Sequence, residues 1–145
     1  MFDRLKTLLT SIEITDQPTD DPTPLAAAML LFEVAWADHE ILTTEIESMV
    51  SALTHLFGIK ESAARALTDR AIETHETETS IYPFTRSINE ALSIEEKQQL
   101  ITTLWRLALA DQIVDKYEEH AIRRIADLLY VPHRDFIRAK RDAQA

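Results

Sequence analysis

Apolar residues recur at three- and four-residue intervals along almost the whole chain, and only one glycine interrupts it, so the pattern predicts an all-α fold. Phe2, Leu5, Leu8, Leu9 and Ile12 mark a short amphipathic helix within residues 1–13. Residues 14–24, ITDQPTDDPTP, carry three prolines and three aspartates and read as an acidic, exposed linker. A helical domain then occupies residues 25–145.

The linker ends at a helix start, with Thr23 as N-cap and Pro24 at the first helical position, where a missing N–H costs nothing. From Leu25 to Ala37 only Glu33 breaks an apolar surface, which predicts a central buried helix. Thr44-x-x-Glu47 has the form of a capping box, followed by a stripe of Ile46, Met49, Val50, Leu53, Leu56 and Phe57 that stops at Gly58, a left-handed C′ residue. A helix from about Glu61 to Glu76 has a weak stripe of Ala63, Ala66, Leu67 and Ile72, and the polar residues 73–80 are expected to fray. Pro83 starts or kinks a short helix carrying Phe84, Ile88 and Leu92.

Ser93-x-x-Glu96 opens a helix through Leu100, Ile101, Leu104, Trp105 and Ala108. Asp115-x-x-Glu118 opens another with Ile122, Ile125, Ala126 and Leu129 inward, and Pro132 separates it from a last helix through Phe136 and Ile137. The expected total is seven or eight helices.

Two of these segments repeat. Placing Asp38 over Asp111 also places Ala35 over Ala108, Ile41 over Val114, Glu45 over Glu118, Met49 over Ile122, Leu56 over Leu129 and Arg65 over Arg138, without a gap. The chain therefore reads as two helix-elbow-helix halves related by an approximate two-fold. In each half an Asp falls where one helix ends and a Glu in the first turn of the next. A carboxylate at a helix C-terminus is opposed by the dipole, so it needs compensation. The acids either accept elbow and helix N–H groups as turn and cap residues, or converge to hold a cation through oxygen ligands.

The paired stretches AWADHEILTTE and ALADQIVDKYE, with the helices around them, resemble the tellurite-resistance protein B (TerB) family, whose domain also occurs at the N-terminus of the DnaJ-like co-chaperone DjlA. The resemblance runs from about Leu25 to Asp142. It implies an all-helical, roughly two-fold domain with acidic elbow residues on one face and a metal-binding role. Carried residue by residue, it assigns Asp38 and Glu45 in the first half and Asp111 and Glu118 in the second, with Asp115 and Glu40 as further candidates. The family commonly has Gly after the elbow Asp, where this chain has His39 and Gln112. If the backbone is left-handed there, a side chain costs about 1 kcal/mol.

Composition narrows the function classes. The chain has 145 residues, 46% of them hydrophobic and 28% charged, as expected of one globular domain. It has no cysteine, which removes disulfides, thiolate metal sites and cysteine nucleophiles and fits a cytoplasmic address. No apolar run approaches the ~20 residues that span a bilayer. A formal charge of −10 opposes nucleic acid and anionic membranes as partners and favours cations or a basic protein face.

An EF-hand is excluded, because Glu40 and Ile113 hold loop position 3 and no glycine follows. His39 and Glu40 beside Asp38 could make a mixed zinc site, but the second half has no matching histidine, and His39, His55, His75, His120 and His133 read as surface residues. Trp36 and Trp105 read as core, and the basic RDFIRAKRDA as a solvated helix face. No organic cofactor fingerprint or nucleophile-base pair is present. The expectation is a non-catalytic binding module that takes a divalent cation (Ca, Mg, Mn or Zn) or a basic protein partner through its elbow carboxylates. The alternatives are a metal-dependent hydrolytic enzyme and a scaffold whose acids only cap helices.

Overall fold

The computed structural model describes residues 21–78, 80–111 and 114–145. The expected helix within residues 1–13 and most of the linker lie outside them. The described residues form seven α-helices and no strand: α1 (Thr23–Ala35), α2 (Thr43–Phe57), α3 (Glu61–Thr77), α4 (Tyr82–Ala91), α5 (Ile94–Ala108), α6 (Lys116–Leu128) and α7 (His133–Gln144). A short 3-10 turn, Leu109–Asp111, follows α5.

Helix α1 is the hub. Only Leu25 and Glu33 of its residues escape full burial, and it packs against α2, α3, α4, α5 and α6. Each fully buried Leu, such as Leu30 and Leu31, contributes roughly 1.5–3 kcal/mol over an exposed one. Helix α5 is its counterpart and packs against α1, α2, α6 and α7. Beyond the contact within each pair, α2 crosses to α5 while α6 crosses to α1, the exchange that an approximate two-fold requires. Helix α4 stands outside this symmetry, seated on α1 and tied to α6 by a hydrogen bond from the Asn89 side-chain amide to the Leu128 carbonyl at 3.0 Å.

Local signals account for most boundaries. Ser93 and Glu96 form the expected capping box, with Ser93 Oγ accepting from the Glu96 N–H at 3.2 Å and Glu96 Oε1 from the Ser93 N–H at 2.8 Å. Gly58 ends α2 at φ 64°. Helix α6 ends in a Schellman turn, with Val131 N–H bonded to the Ala126 carbonyl and Tyr130 N–H to that of Asp127, which puts the non-glycine Tyr130 at φ 60°. In the core, Trp105 is completely buried, its ring 5.2 Å from that of Phe136 on α7.

Four expectations shift. The helix at Thr23 begins one residue early, and the Thr23 N–H donates to Asp21 Oδ1 at 2.9 Å instead of Thr23 capping. Thr44 and Glu47 form no box: α2 starts at Thr43 with Leu42 as N-cap, and Glu47 pairs with Arg65 of α3. In α3 the expected Ala63, Leu67 and Ile72 pack partly buried against the core and Ala66 is exposed, while the fully buried residues are Ala64, Thr68 and Ala71, one step round, where Thr68 satisfies its own hydroxyl on the Ala64 carbonyl at 2.9 Å and is buried without penalty. Residues 73–77 stay helical, because half-buried His75 sets its ring edge-on 4.8 Å from Phe32 and its Nε2 3.6 Å from Glu33 Oε2.

Candidate functional site: a pocket shared by the two elbows

The first elbow is built from the end of α1. The His39 N–H bonds to the Trp36 carbonyl at 2.8 Å, the Glu40 N–H to Asp38 Oδ1 at 3.1 Å, and the backbone turns through His39 at φ 62°. This is the left-handed position that glycine would occupy without steric cost. Here the His39 ring packs edge-on against Trp36, centroids 5.7 Å apart. Trp36 is itself only partly buried, stacked 6.1 Å from Phe32, so of the two tryptophans Trp105 alone is fully in the core.

Each elbow delivers its chain to a helix start. At α2, Glu45 Oε1 accepts from the Leu42 N–H at 3.1 Å, but leucine offers no side-chain acceptor in return. At α6 the box is complete, with Asp115 Oδ1 accepting from the Glu118 N–H at 2.8 Å and Glu118 Oε1 from the Asp115 N–H at 3.3 Å. Asp38, Glu45, Asp115 and Glu118 therefore all perform the turn-and-cap task, which fixes their positions while leaving their charge in place.

Because α2 crosses α5, the two elbows meet. An open pocket of about 470 Å³ is lined by Asp38, Glu40 and Leu42 from the first elbow, Thr44, Glu45 and Ser48 from α2, Leu107 and Ala108 from α5, and Ala110, Asp115 and Glu118 from the second elbow and α6. Five of the six acids expected from the sequence thus line one pocket. The backbone of the sixth, Asp111, ends the 3-10 turn, while its carboxylate and residues 112 and 113 lie outside the described residues.

Among the described residues no three His, Asp or Glu side chains are grouped to hold a metal ion. His39 does not line the pocket, which separates it from the mixed zinc set considered above. The pocket's neutral wall, including Leu42, Ser48, Leu107 and Ala108, carries no local signal, because those residues meet only through the α2–α5 crossing. Of the histidines, His39, His55, His120 and His133 are exposed as expected and His75 is half-buried.

An all-helical, two-fold domain with an acidic pocket between its elbows is the class that this geometry defines. The family model described as Tellurite resistance protein TerB matches residues 24–141, and the chain belongs to that family. No curated protein and no solved structure matches it. No helix among the described residues is long and apolar enough to cross a membrane.

Proposed function

We propose that this chain is a non-catalytic binding module of the cytoplasm and that the inter-elbow pocket receives cationic groups, foremost the basic side chains of a protein partner. The supporting observation is that carboxylates from both elbows, far apart in sequence, line one open pocket. A concavity walled by charges of one sign concentrates counter-charge and accelerates encounter with it. Splayed carboxylates held by separate helix starts suit the several donors of Arg and Lys.

A divalent cation is the second reading, favoured by the all-oxygen character of the lining, which suits calcium, magnesium or manganese better than zinc. A hydrolytic role has less support. Ser48 Oγ, a hydroxyl at the pocket wall, donates to the Thr44 carbonyl at 2.9 Å, so it is not paired with a carboxylate base.

The test is calorimetric titration with an arginine-rich peptide and, separately, with each of the four cations. Wild type is compared with a double variant, Asp38→Asn and Glu118→Gln, which keeps both turn acceptors and removes two charges. Peptide binding that falls at least about tenfold in the variant and weakens with salt supports the docking reading. Saturable metal binding lost in the variant, without peptide binding, moves the function to the second reading. Folded wild type that binds neither probe sinks both.

A further inference from the structure

Beside the acidic pocket, sharing Ser48 and Leu107 with it, lies a second cleft of about 370 Å³ between α2 and α5, lined by Ser48, Ser51, Ala52, His55, Thr103, Arg106 and Leu107. It contains no carboxylate, although the chain carries 25 acidic against 15 basic side chains. Among the described residues no acid pairs with Arg106, and it is exposed.

The two-fold supplies an internal control. Aligning the sequences of the halves in the register that sets Asp38 over Asp111 places Arg106 over Glu33, Ser51 over Arg124, Ser48 over Ala121, His55 over Leu128 and Thr103 over Leu30. The related cleft between α6 and α1 is indeed present, lined by Glu33, Ala37, Tyr117, His120, Ala121 and Arg124 together with Ile81. There an acid and a base line the same space, and no hydroxyl stands where Ser48 and Thr103 do. The related cleft thus also holds a cation, an imidazole and a hydroxyl, in Arg124, His120 and Tyr117, but it sets a carboxylate among them, so the feature peculiar to the α2–α5 cleft is a cation with no acid beside it. Both Arg106 and His55 lie in the last turns of their helices, where the dipole favours positive charge, but that preference does not explain the hydroxyls.

We infer that the α2–α5 cleft is an oxyanion site for a carboxylate or phosphate group. Arg106 would supply a planar fork of donors and His55 a ring N–H. Ser51 would add a hydroxyl at the rim. Thr103, whose hydroxyl donates to the Gln99 carbonyl at 3.0 Å, forms the polar floor. Its position next to the acidic pocket gives the surface a paired character, so an anionic group would lie alongside whatever cation the elbows take. The site rests on the cleft itself and stands whether or not the elbows bind a cation.

The test uses the full chain and NMR, following the Arg106 side-chain N–H and the His55 ring and Ser51 amide signals as inorganic phosphate and, separately, N-acetylglutamate are added at low constant ionic strength. The expected result is saturable shifts at these three residues for at least one probe. They should weaken about tenfold or more in Arg106→Gln, as loss of a charge-assisted hydrogen bond implies. Response to phosphate alone assigns the site to a free or esterified phosphate, and response to N-acetylglutamate assigns it to carboxylates. Asp38→Asn with Glu118→Gln should leave binding intact, which separates this site from the elbow pocket. Non-saturable shifts spread over all basic residues, an unchanged response in folded Arg106→Gln, or loss of binding in the elbow variant would each overturn the inference.

Discussion

Substitutions at Leu42 measure how negative the inter-elbow pocket is. Leu42 is the N-cap of α2 at φ −97°, ψ 155°, and its counterpart Asp115 caps α6 at φ −79°, ψ 167°, so the backbone is ready for a cap that leucine cannot provide. Leu42 is also 57% exposed and lines the pocket. Truncating it removes some packing, so the informative comparisons are between pairs of variants that share this loss. Leu42→Ser should be more stable than Leu42→Ala by about 1 kcal/mol, the usual worth of an N-cap acceptor, or roughly 2–4 °C in Tm for a chain of this size.

Leu42→Asp against Leu42→Asn then isolates charge. At an ordinary helix N-terminus the dipole favours the acid by about 0.3–1 kcal/mol. Here the new carboxylate would join five others around one pocket. One carboxylate about 8 Å away in water-like dielectric opposes it by about 0.5 kcal/mol, so two or three reverse the order. In urea unfolding followed by circular dichroism at low ionic strength, Leu42→Asp should be less stable than Leu42→Asn. The gap should close near 1 M salt, where screening acts within about 3 Å. An aspartate variant equal to or more stable than the asparagine variant at low salt would refute a strongly negative pocket.

Phe136→Ala should cost about 3–5 kcal/mol by opening a cavity against Trp105, with the tryptophan emission moving to the red; a loss under about 1 kcal/mol would mean that α7 is not anchored there. The Arg65 guanidinium, which bonds both Glu47 oxygens at 3.0 and 2.9 Å, holds the Glu47 carboxyl below the usual range. The pair therefore stabilises the fold above the usual glutamate range, and that contribution disappears as pH falls through the depressed Glu47 value. In Arg65→Gln the Glu47 carboxyl carbon should titrate at higher pH in NMR, and an unmoved titration would count against the pair. His39→Gly relieves a left-handed side chain worth about 1 kcal/mol but loses the Trp36 contact, so thermal melting should show a change within about 1 kcal/mol of wild type; a larger loss would make the ring contact dominant.

Much of the architecture was legible because it is local. Helical periodicity, Gly58, and the boxes at Ser93 and Asp115 are written within a few residues of where they act. The repeat put four elbow acids in matching places, and three of them, Asp38, Glu45 and Glu118, line the pocket together with Glu40 and Asp115, which have no acidic counterpart. The departure from glycine at His39 also marked a real feature, since that residue takes the left-handed backbone. The misplaced cap at Thr44 has a physical origin: Glu45 and Glu47 both stand within reach of a helix start, and only the tertiary position of Arg65 decides that Glu47 points away. The exact face of α3 and the burial of His75 were hidden likewise, because they depend on Thr68 bonding within its own helix and on Phe32 of another helix. The Arg106 cleft did have a signal in the sequence, the mismatch of Arg106 with Glu33 between the halves, which has meaning only once the crossing helices are known.

The most direct test of the shared pocket is a residue-resolved NMR titration with the arginine-rich peptide, reading the Glu40 and Glu45 amides of the first elbow against the Asp115 and Glu118 amides of the second. One site formed by both elbows requires all four signals to shift with a single midpoint and to lose that response together in the Asp38→Asn, Glu118→Gln variant. Two distinct midpoints, or a response confined to one elbow, would contradict it.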